Sequence, residues 1–246
     1  MKFSMVMITK NAGEVLEDAL KSVEGLWDEL LVVDDNSIDK TRSLIGQYGG
    51  QIFSLKDKNL GERKQWLVEK VKGDWILVLD SDERVSKDLY KEIKKIKMGN
   101  DKKVNGYSIP YQNYVFGKPV YYGGEAYSKV RLFRKGKGNV ELSPVHEEVM
   151  VKGKVGQLKG LLHHHSYRSF GQLFSKFTRY AWIAAAEKKR ERISFAKLFL
   201  YSPHMFWARF MKEKGYKDGW RGFTLAFAFA YMEGLTYAVL LWRQRS

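Results

Sequence analysis

The chain contains no cysteine. That removes disulfides, thiolate-ligated zinc, iron–sulfur clusters and thiol nucleophiles, and it is compatible with a reducing compartment. Only four prolines interrupt 246 residues, and 44% of the residues are hydrophobic, which excludes collagen-like and disordered chains. Two glycine signatures are also missing. No Gly-x-Gly-x-x-Gly follows the first apolar run, so a dinucleotide site is disfavoured. No Gly-x-x-x-x-Gly-Lys-Ser/Thr occurs, so a P-loop NTPase is out. There is no internal repeat. The apolar stretch Phe3–Ile8 is too short for the hydrophobic region of an export signal and runs straight into Thr9-Lys10-Asn11, so the expected compartment is the cytosol.

Charge is plentiful and uneven. The formal net charge is +15, yet residues 1–100 hold 17 Lys+Arg and 18 Asp+Glu, whereas residues 101–246 hold 26 and 10. A near-neutral half is thus joined to a half suited to an anionic partner: nucleic acid, an anionic bilayer or a phosphorylated saccharide.

Residues 1–97 alternate strand and helix. Short apolar runs at Phe3–Ile8, Glu29–Val33, Gln51–Leu55 and Trp75–Leu79 have strand length. Asn11 with Glu14 reads as a capping box for a helix through Val23, and Ser86 as the cap of a helix to Lys97. Helical spacing marks Gly61–Lys72. Four such units predict an α/β fold, a mostly parallel sheet flanked by helices, whose ligands bind beyond the carboxyl ends of the strands. Residues 101–165 read as further strands and loops. From Tyr167 the chain turns helical, with Phe170, Leu173, Phe174, Phe177, Ala181 and Ala184 on one face. Ser202-Pro203 reads as an N-cap with Pro at the first helical position.

The chemistry gathers at the predicted strand ends. Asp80-Ser81-Asp82 follows the buried run Trp75–Leu79, and carboxylates at such an edge suit Mg²⁺ or Mn²⁺ bridging a diphosphate. The plain alternative is a solvated turn. Asp34, at the end of the second strand, could bond a base or ribose, whereas Asp35, Asn36 and Ser37 read better as helix caps. Pro144-Val145-His146-Glu147-Glu148 offers a carboxylate beside an imidazole, as a general base requires; a surface Glu pair is the alternative. Of His163-His164-His165, at most one is expected to reach a metal.

These pieces stand in an order that resembles glycosyltransferase family 2: Met-Ile-Thr-Lys-Asn (7–11), Val-Val-Asp-Asp-Asn-Ser-Ile-Asp-Lys-Thr (32–41), Gly-Asp-Trp-Ile-Leu-Val-Leu-Asp-Ser-Asp-Glu-Arg (73–84), Val-Arg-Leu-Phe-Arg-Lys-Gly (130–136), Ser-Pro-Val-His-Glu (143–147) and His-His-Ser-Tyr-Arg (164–168). Within it, the sequence is similar to the branch holding bacterial lipopolysaccharide core β-1,4-glucosyltransferases. The resemblance implies a GT-A fold with a C-terminal helical extension. It also implies an inverting, metal-dependent hexosyl transfer from a UDP-glucose-like donor to a saccharide or lipid-linked acceptor. By that resemblance Thr9, Asn11, Asp34, Asp80 and Ser81 bind the nucleotide sugar, Asp82 and His164 hold Mg²⁺ or Mn²⁺, and Glu147 is the base. Lys64-Gln65 stands where the branch usually has Arg-Asn, so the phosphate-facing cation is Arg63 or Lys64. The implied organisation is a catalytic domain over 1–166, with a nucleotide-binding part (1–100) and an acceptor part (101–166), then a basic helical extension over 167–246.

Residues 168–221 hold 13 Lys+Arg and 4 Asp+Glu among interleaved aromatics, the composition of an interfacial helix on anionic lipid. Phe223–Trp242 has about the ~20 residues of a span, but Glu233 lies mid-stretch. Peripheral attachment to the inner face of the cell membrane is therefore expected ahead of core packing or spanning, with this helix buried most of the way round. Two other readings remain at this point: a sugar-nucleotidyltransferase, and a non-catalytic nucleic-acid-binding protein, against which the acidic strand ends argue.

Overall fold

A computed structural model describes residues 1–99, 103–142, 148–188 and 195–245. In chain order the elements begin β1 (Phe3–Thr9), α1 (Leu16–Ser22), β2 (Glu29–Asp34), α2 (Thr41–Gln47), β3 (Gln51–Phe53), α3 (Leu60–Lys70), β4 (Trp75–Val78), β5 (Glu83–Val85) and α4 (Lys87–Met98). Then come β6 (Gly106–Val115), β7 (Lys118–Val120), β8 (Ser128–Arg134), β9 (Gly138–Val140), β10 (Val149–Val151), β11 (Val155–Gln157) and β12 (Leu162–Tyr167). Three helices end the chain: α5 (Phe170–Glu187), α6 (Phe195–Trp207) and α7 (Gly219–Arg245), with a π-helical turn (Ala208–Lys212) and a 3-10 turn (Gly215–Asp218) between the last two.

The chain divides into two compact units, Met1–Tyr111 with Ser128–His164, and Gln112–Tyr127 with His165–Ser246. The second is therefore discontinuous: beside the helical extension it takes a segment holding the end of β6 and β7 that the sequence reading assigned to 101–166.

In the first unit β3, β2, β1 and β4 pair in parallel, and β8 and β6 continue the sheet antiparallel. Alternate residues face opposite sides of a strand. Val6, Leu31, Val33, Ile76 and Val78 form one buried cluster with Leu67 and Val68 of α3. The intervening Met5, Met7, Leu30, Val32 and Leu77 are buried too. With both faces covered, these strands read as continuous apolar runs. The parallel register sets Thr9 beside Asp34, so β1, β2 and β4 all end at one edge.

Local capping differs from the sequence reading. Asn11 caps no helix: it is left-handed (φ 46°) and its side-chain oxygen accepts from the Ile38 N–H at 3.0 Å. The capping box belongs to Asn59 and Glu62, which start α3. Ser86 does cap α4, accepting from the Leu89 N–H.

In the second unit α7 packs against both α5 and α6. Leu173 and Phe177 of α5 meet Leu225 and Ala228 of α7, together with Val115 and Val120. Pro203 lies inside α6 and does not begin it, and Ser202 donates to the Ala230 carbonyl at 2.7 Å in place of capping. Nor is α7 buried all round: Trp220, Phe223, Phe227, Tyr231 and Trp242 are exposed.

Glycines 123 and 124 adopt left-handed φ of 71° and 79°, which a side chain would resist. The turn they make is pinned. Asp218 accepts from the Tyr121 and Tyr122 N–H groups at 3.0 and 2.9 Å, and the Gly123 N–H donates to the Glu213 carbonyl at 2.8 Å. Glu125, 7% exposed, is ion-paired with Arg209 and accepts from Asn113 at 3.0 Å. The Arg209 guanidinium covers the Phe229 ring. Removing one partner of a buried pair strands the other charge at a cost of about 3–5 kcal/mol, whereas replacing both is often near neutral. Arg209→Met should therefore lower the thermal midpoint markedly, and Glu125→Leu/Arg209→Met should regain most of the loss in parallel calorimetric melts.

Candidate active site

Nine of the ten residues singled out in the sequence lie in the first unit. Thr9 ends β1, 2% exposed. Its hydroxyl donates to Asp34 Oδ1 at 3.2 Å. Asp34 is fully buried and also accepts from the Ser37 hydroxyl at 2.5 Å and the Ser37 N–H at 3.1 Å, with Arg42 at 3.4 Å. The Asn11 N–H donates to Ser37 Oγ at 2.8 Å. Thr9, Asn11 and Asp34 thus stitch the loops after β1 and β2 into one rim. Beside them Asp35 binds Lys10 at 2.8 Å and Arg63 at 3.0 Å; the hydrogen bond from Lys10 and the charge of Arg63 outweigh burial and hold the Asp35 carboxyl low. The Arg63 Nε is buried with no hydrogen-bond partner among the described residues.

The turn after β4 holds three carboxylates in four residues. Asp80 Oδ1 receives Lys64 Nζ at 2.8 Å, and Asp80 Oδ2 receives Arg131 at 3.0 Å. The same Arg131 nitrogen reaches Glu83 at 2.9 Å. Tyr111 donates to Glu83 at 2.7 Å and accepts from Arg131 Nε. The Asp80 N–H donates to Glu83 Oε2 at 2.9 Å, closing the turn on itself. Glu83, Lys64 and Arg131 are 0%, 3% and 6% exposed. Burial alone would raise the Asp80 carboxyl, but the Lys64 and Arg131 charges prevail and hold it far below the usual carboxylate range. Burial pushes the Tyr111 phenol well up, so it stays a donor.

Asp82 faces β12. That strand pairs antiparallel with β5, His164 opposite Glu83, which brings His164 Nε2 within 3.6 Å of Asp82 Oδ2. The His164 ring stands edge-on to Tyr111, centroids 5.8 Å apart. Ser81 sits between the two aspartates, half-buried. Glu147, the tenth residue, lies outside the described residues. Among the described residues no group of three or more His, Asp or Glu side chains is placed to hold a metal ion; Asp82 and His164 offer one carboxylate and one imidazole, donor types that suit a divalent ion only if other ligands complete its shell.

Arg131, Tyr111 and Glu83 were not singled out in the sequence. The signal for Arg131 was present: a charge between Val130 and Leu132, inside an apolar strand, is costly unless paired. Asp35 was read as more of a cap than a ligand, and Lys10, although inside the Met-Ile-Thr-Lys-Asn segment, was given no role.

The fold is of the GT-A kind seen in glycosyltransferases. The sequence profile of glycosyl transferase family 2 matches residues 4–148, and the chain belongs to that family. It is similar to LpsC of Rhizobium meliloti, a lipopolysaccharide core biosynthesis glycosyltransferase, with 27% identity over 251 residues, 96% of this chain and 89% of LpsC. An uncharacterised glycosyltransferase of Rickettsia typhi is 26% identical over 97% of this chain and 86% of its own length. Among solved structures, residues 1–349 of S. aureus TarS in complex with UDP-GlcNAc share the fold, with a TM-score of 0.53 and 14% identity over 100% of this chain and 93% of that one.

Arg131→Met would leave Glu83 buried with its Tyr111 hydrogen bond but without its Arg131 cation, and Asp80 without one of its two cations. A loss of about 3–5 kcal/mol in urea unfolding is expected. Arg131→Lys should recover little of it, because one ammonium cannot present the guanidinium's planar fork to Asp80, Glu83 and Tyr111 together.

Proposed function

We propose that the protein moves a hexosyl group, with inversion, from a nucleotide-diphosphate sugar of the UDP-glucose type to a saccharide or lipid-linked acceptor. The product is a bacterial lipopolysaccharide or related surface polysaccharide, assembled at the inner face of the cell membrane. The observation that carries this reading is the acidic turn at the carboxyl edge of the sheet, where Asp80 and Glu83 are neutralised from within by Lys64 and Arg131 and Asp82 faces His164. A phosphate-bearing ligand is tolerated beside carboxylates only where cations offset them. The kinship with LpsC supports the surface-saccharide acceptor, and the likeness to a UDP-GlcNAc complex supports a sugar nucleotide as donor.

In this reading the rim of Thr9, Asn11 and Asp34 shapes the nucleotide pocket. The burial of Asp34 favours its acting through Thr9 and Ser37. Arg63, anchored on Asp35, donates to the diphosphate, while Lys64 acts by keeping Asp80 anionic and fixed for a ribose hydroxyl, next to Ser81. Asp82 and His164 would hold Mg²⁺ or Mn²⁺, which would supply Lewis-acid stabilisation to a departing diphosphate. The acceptor hydroxyl oxygen attacks the anomeric carbon from the face opposite the diphosphate. The new C–O bond forms as the bond to the diphosphate oxygen breaks, the nucleoside diphosphate leaves with that electron pair, and Glu147 takes the hydroxyl proton.

Calorimetric titration of UDP- and GDP-sugars should show Mn²⁺-dependent binding of one donor, lost in Asp82→Ala; no binding of any sugar nucleotide by the folded wild type would refute the reading. Glu147→Gln should keep donor affinity yet lower kcat by about 10²–10⁴-fold, the range for removing a general base; an unchanged kcat would assign the base elsewhere.

A further inference from the structure

The helical unit has an outer surface of the wrong chemistry for water. On α7 the exposed side chains Trp220, Phe223, Phe227, Tyr231 and Trp242 fall within about 100° of arc at 100° per residue, and Trp220 and Trp242 are about 33 Å apart along the axis. Each is 36–60% exposed. A second aromatic row lies beside it on α5. Phe170 packs on Trp220, Phe174 on Phe227 and Tyr231, and Trp182 on Trp242. Phe223 carries the row onto Phe206 and Phe210. Next to these, α6 exposes Phe199, Leu200 and Trp207, and Phe195–Trp207 contains no acidic residue. A contiguous aromatic surface of this length is far beyond the scattered apolar side chains of ordinary soluble surfaces.

Cations bracket the seam. The Arg221 guanidinium lies 4.4 Å over the Trp220 ring at one end, and Arg243 lies 5.6 Å over Trp182 at the other. Glu233 sits about 220° around the helix from Trp220, away from the seam. Residues 165–246 carry 15 Lys+Arg against five Asp+Glu. Indole and guanidinium together at the edge of an apolar strip are the chemistry of the headgroup level of a bilayer.

We propose that this α5–α7 seam, with the outer face of α6, is a docking surface for an anionic phospholipid bilayer, on which the helices lie flat and do not cross. It deepens the membrane-face reading above by naming the surface and its lipid chemistry. Flat seating follows from packing. α7 is long and apolar enough to cross, but half of its apolar window is buried in the protein. α5, which packs on it, carries Lys176 and Arg179 in mid-helix, charges that are costly at the centre of a bilayer. Laid flat, the seam enters the interface and the cations meet phosphate headgroups, which attract them.

The test is co-sedimentation of the full chain with phosphatidylcholine vesicles, with and without phosphatidylglycerol, for wild type and Phe227→Glu/Trp242→Glu. Both positions are exposed, and circular dichroism confirms the fold. Wild-type partitioning should rise at least tenfold with the anionic lipid and fall at least tenfold in the variant, with UDP-sugar titration unchanged. Equal partitioning of the two proteins, or a wild type that stays in the supernatant, would overturn the proposal. So would a lipid-free dimer that the variant dissociates, which would give the seam to a second copy. Donor binding without vesicle binding would sink this surface alone; vesicle binding without donor binding would sink the sugar-nucleotide reading alone.

Discussion

The candidate site depends on one guanidinium. Asp80, Asp82 and Glu83 crowd a single turn, and two carboxylates about 4 Å apart at an effective dielectric of ~20 repel by several kcal/mol. Arg131 resolves this from below, touching Asp80, Glu83 and Tyr111 at once, while Lys64 holds the other oxygen of Asp80. Asp80 and Glu83 against Lys64 and Arg131 sum to zero, so Glu83, Lys64 and Arg131 are buried without breaking the rule that interior charges be paired. The geometry then has consequences upward. The turn closes through the Asp80 N–H and Glu83, β5 starts at Glu83, and β12 pairs with it, so His164 arrives beside Asp82.

The parallel half of the fold was legible because its physics is local. Runs such as Trp75–Leu79 are apolar on both faces only if a sheet is covered on both sides, and the acids that follow them mark the edge where the chain leaves it. The helices were less so. Asn11 and Glu14 have capping-box spacing, yet Asn11 serves the neighbouring loop, and the box is made by Asn59 and Glu62. Spacing states what a side chain can do locally; the partner decides what it does. Pro203 shows the same limit. The sequence signal of a helix start is overridden by tertiary contacts that carry α6 through it.

The site was partly legible for a related reason. Carboxylates at strand ends announce themselves, whereas their counter-ions come from elsewhere in the chain. Lys64 and Arg131 are 16 and 51 residues from Asp80. Hydropathy found α7 but not its facing: Ala226, Ala228 and Ala230 are buried while Phe227 is exposed. Small residues let α5 and α6 approach, so the large aromatics are left outside, the reverse of the usual amphipathic order.

This division of labour among cations bears on how an acidic site can take an anionic substrate. Lys64 and Arg131 are committed to carboxylates, and withdrawing either would strand a buried charge, so neither is available to a diphosphate without dismantling the turn. Arg63 differs. One terminal nitrogen of its guanidinium anchors on Asp35, which also holds Lys10, and its Nε has no acceptor among the described residues. A guanidinium already oriented by one carboxylate loses little further freedom on meeting a second anion. Arg63 thus keeps one guanidinium N–H without an acceptor among the described residues, and a lysine in its place would lack the planar fork that fixes the direction of that donor.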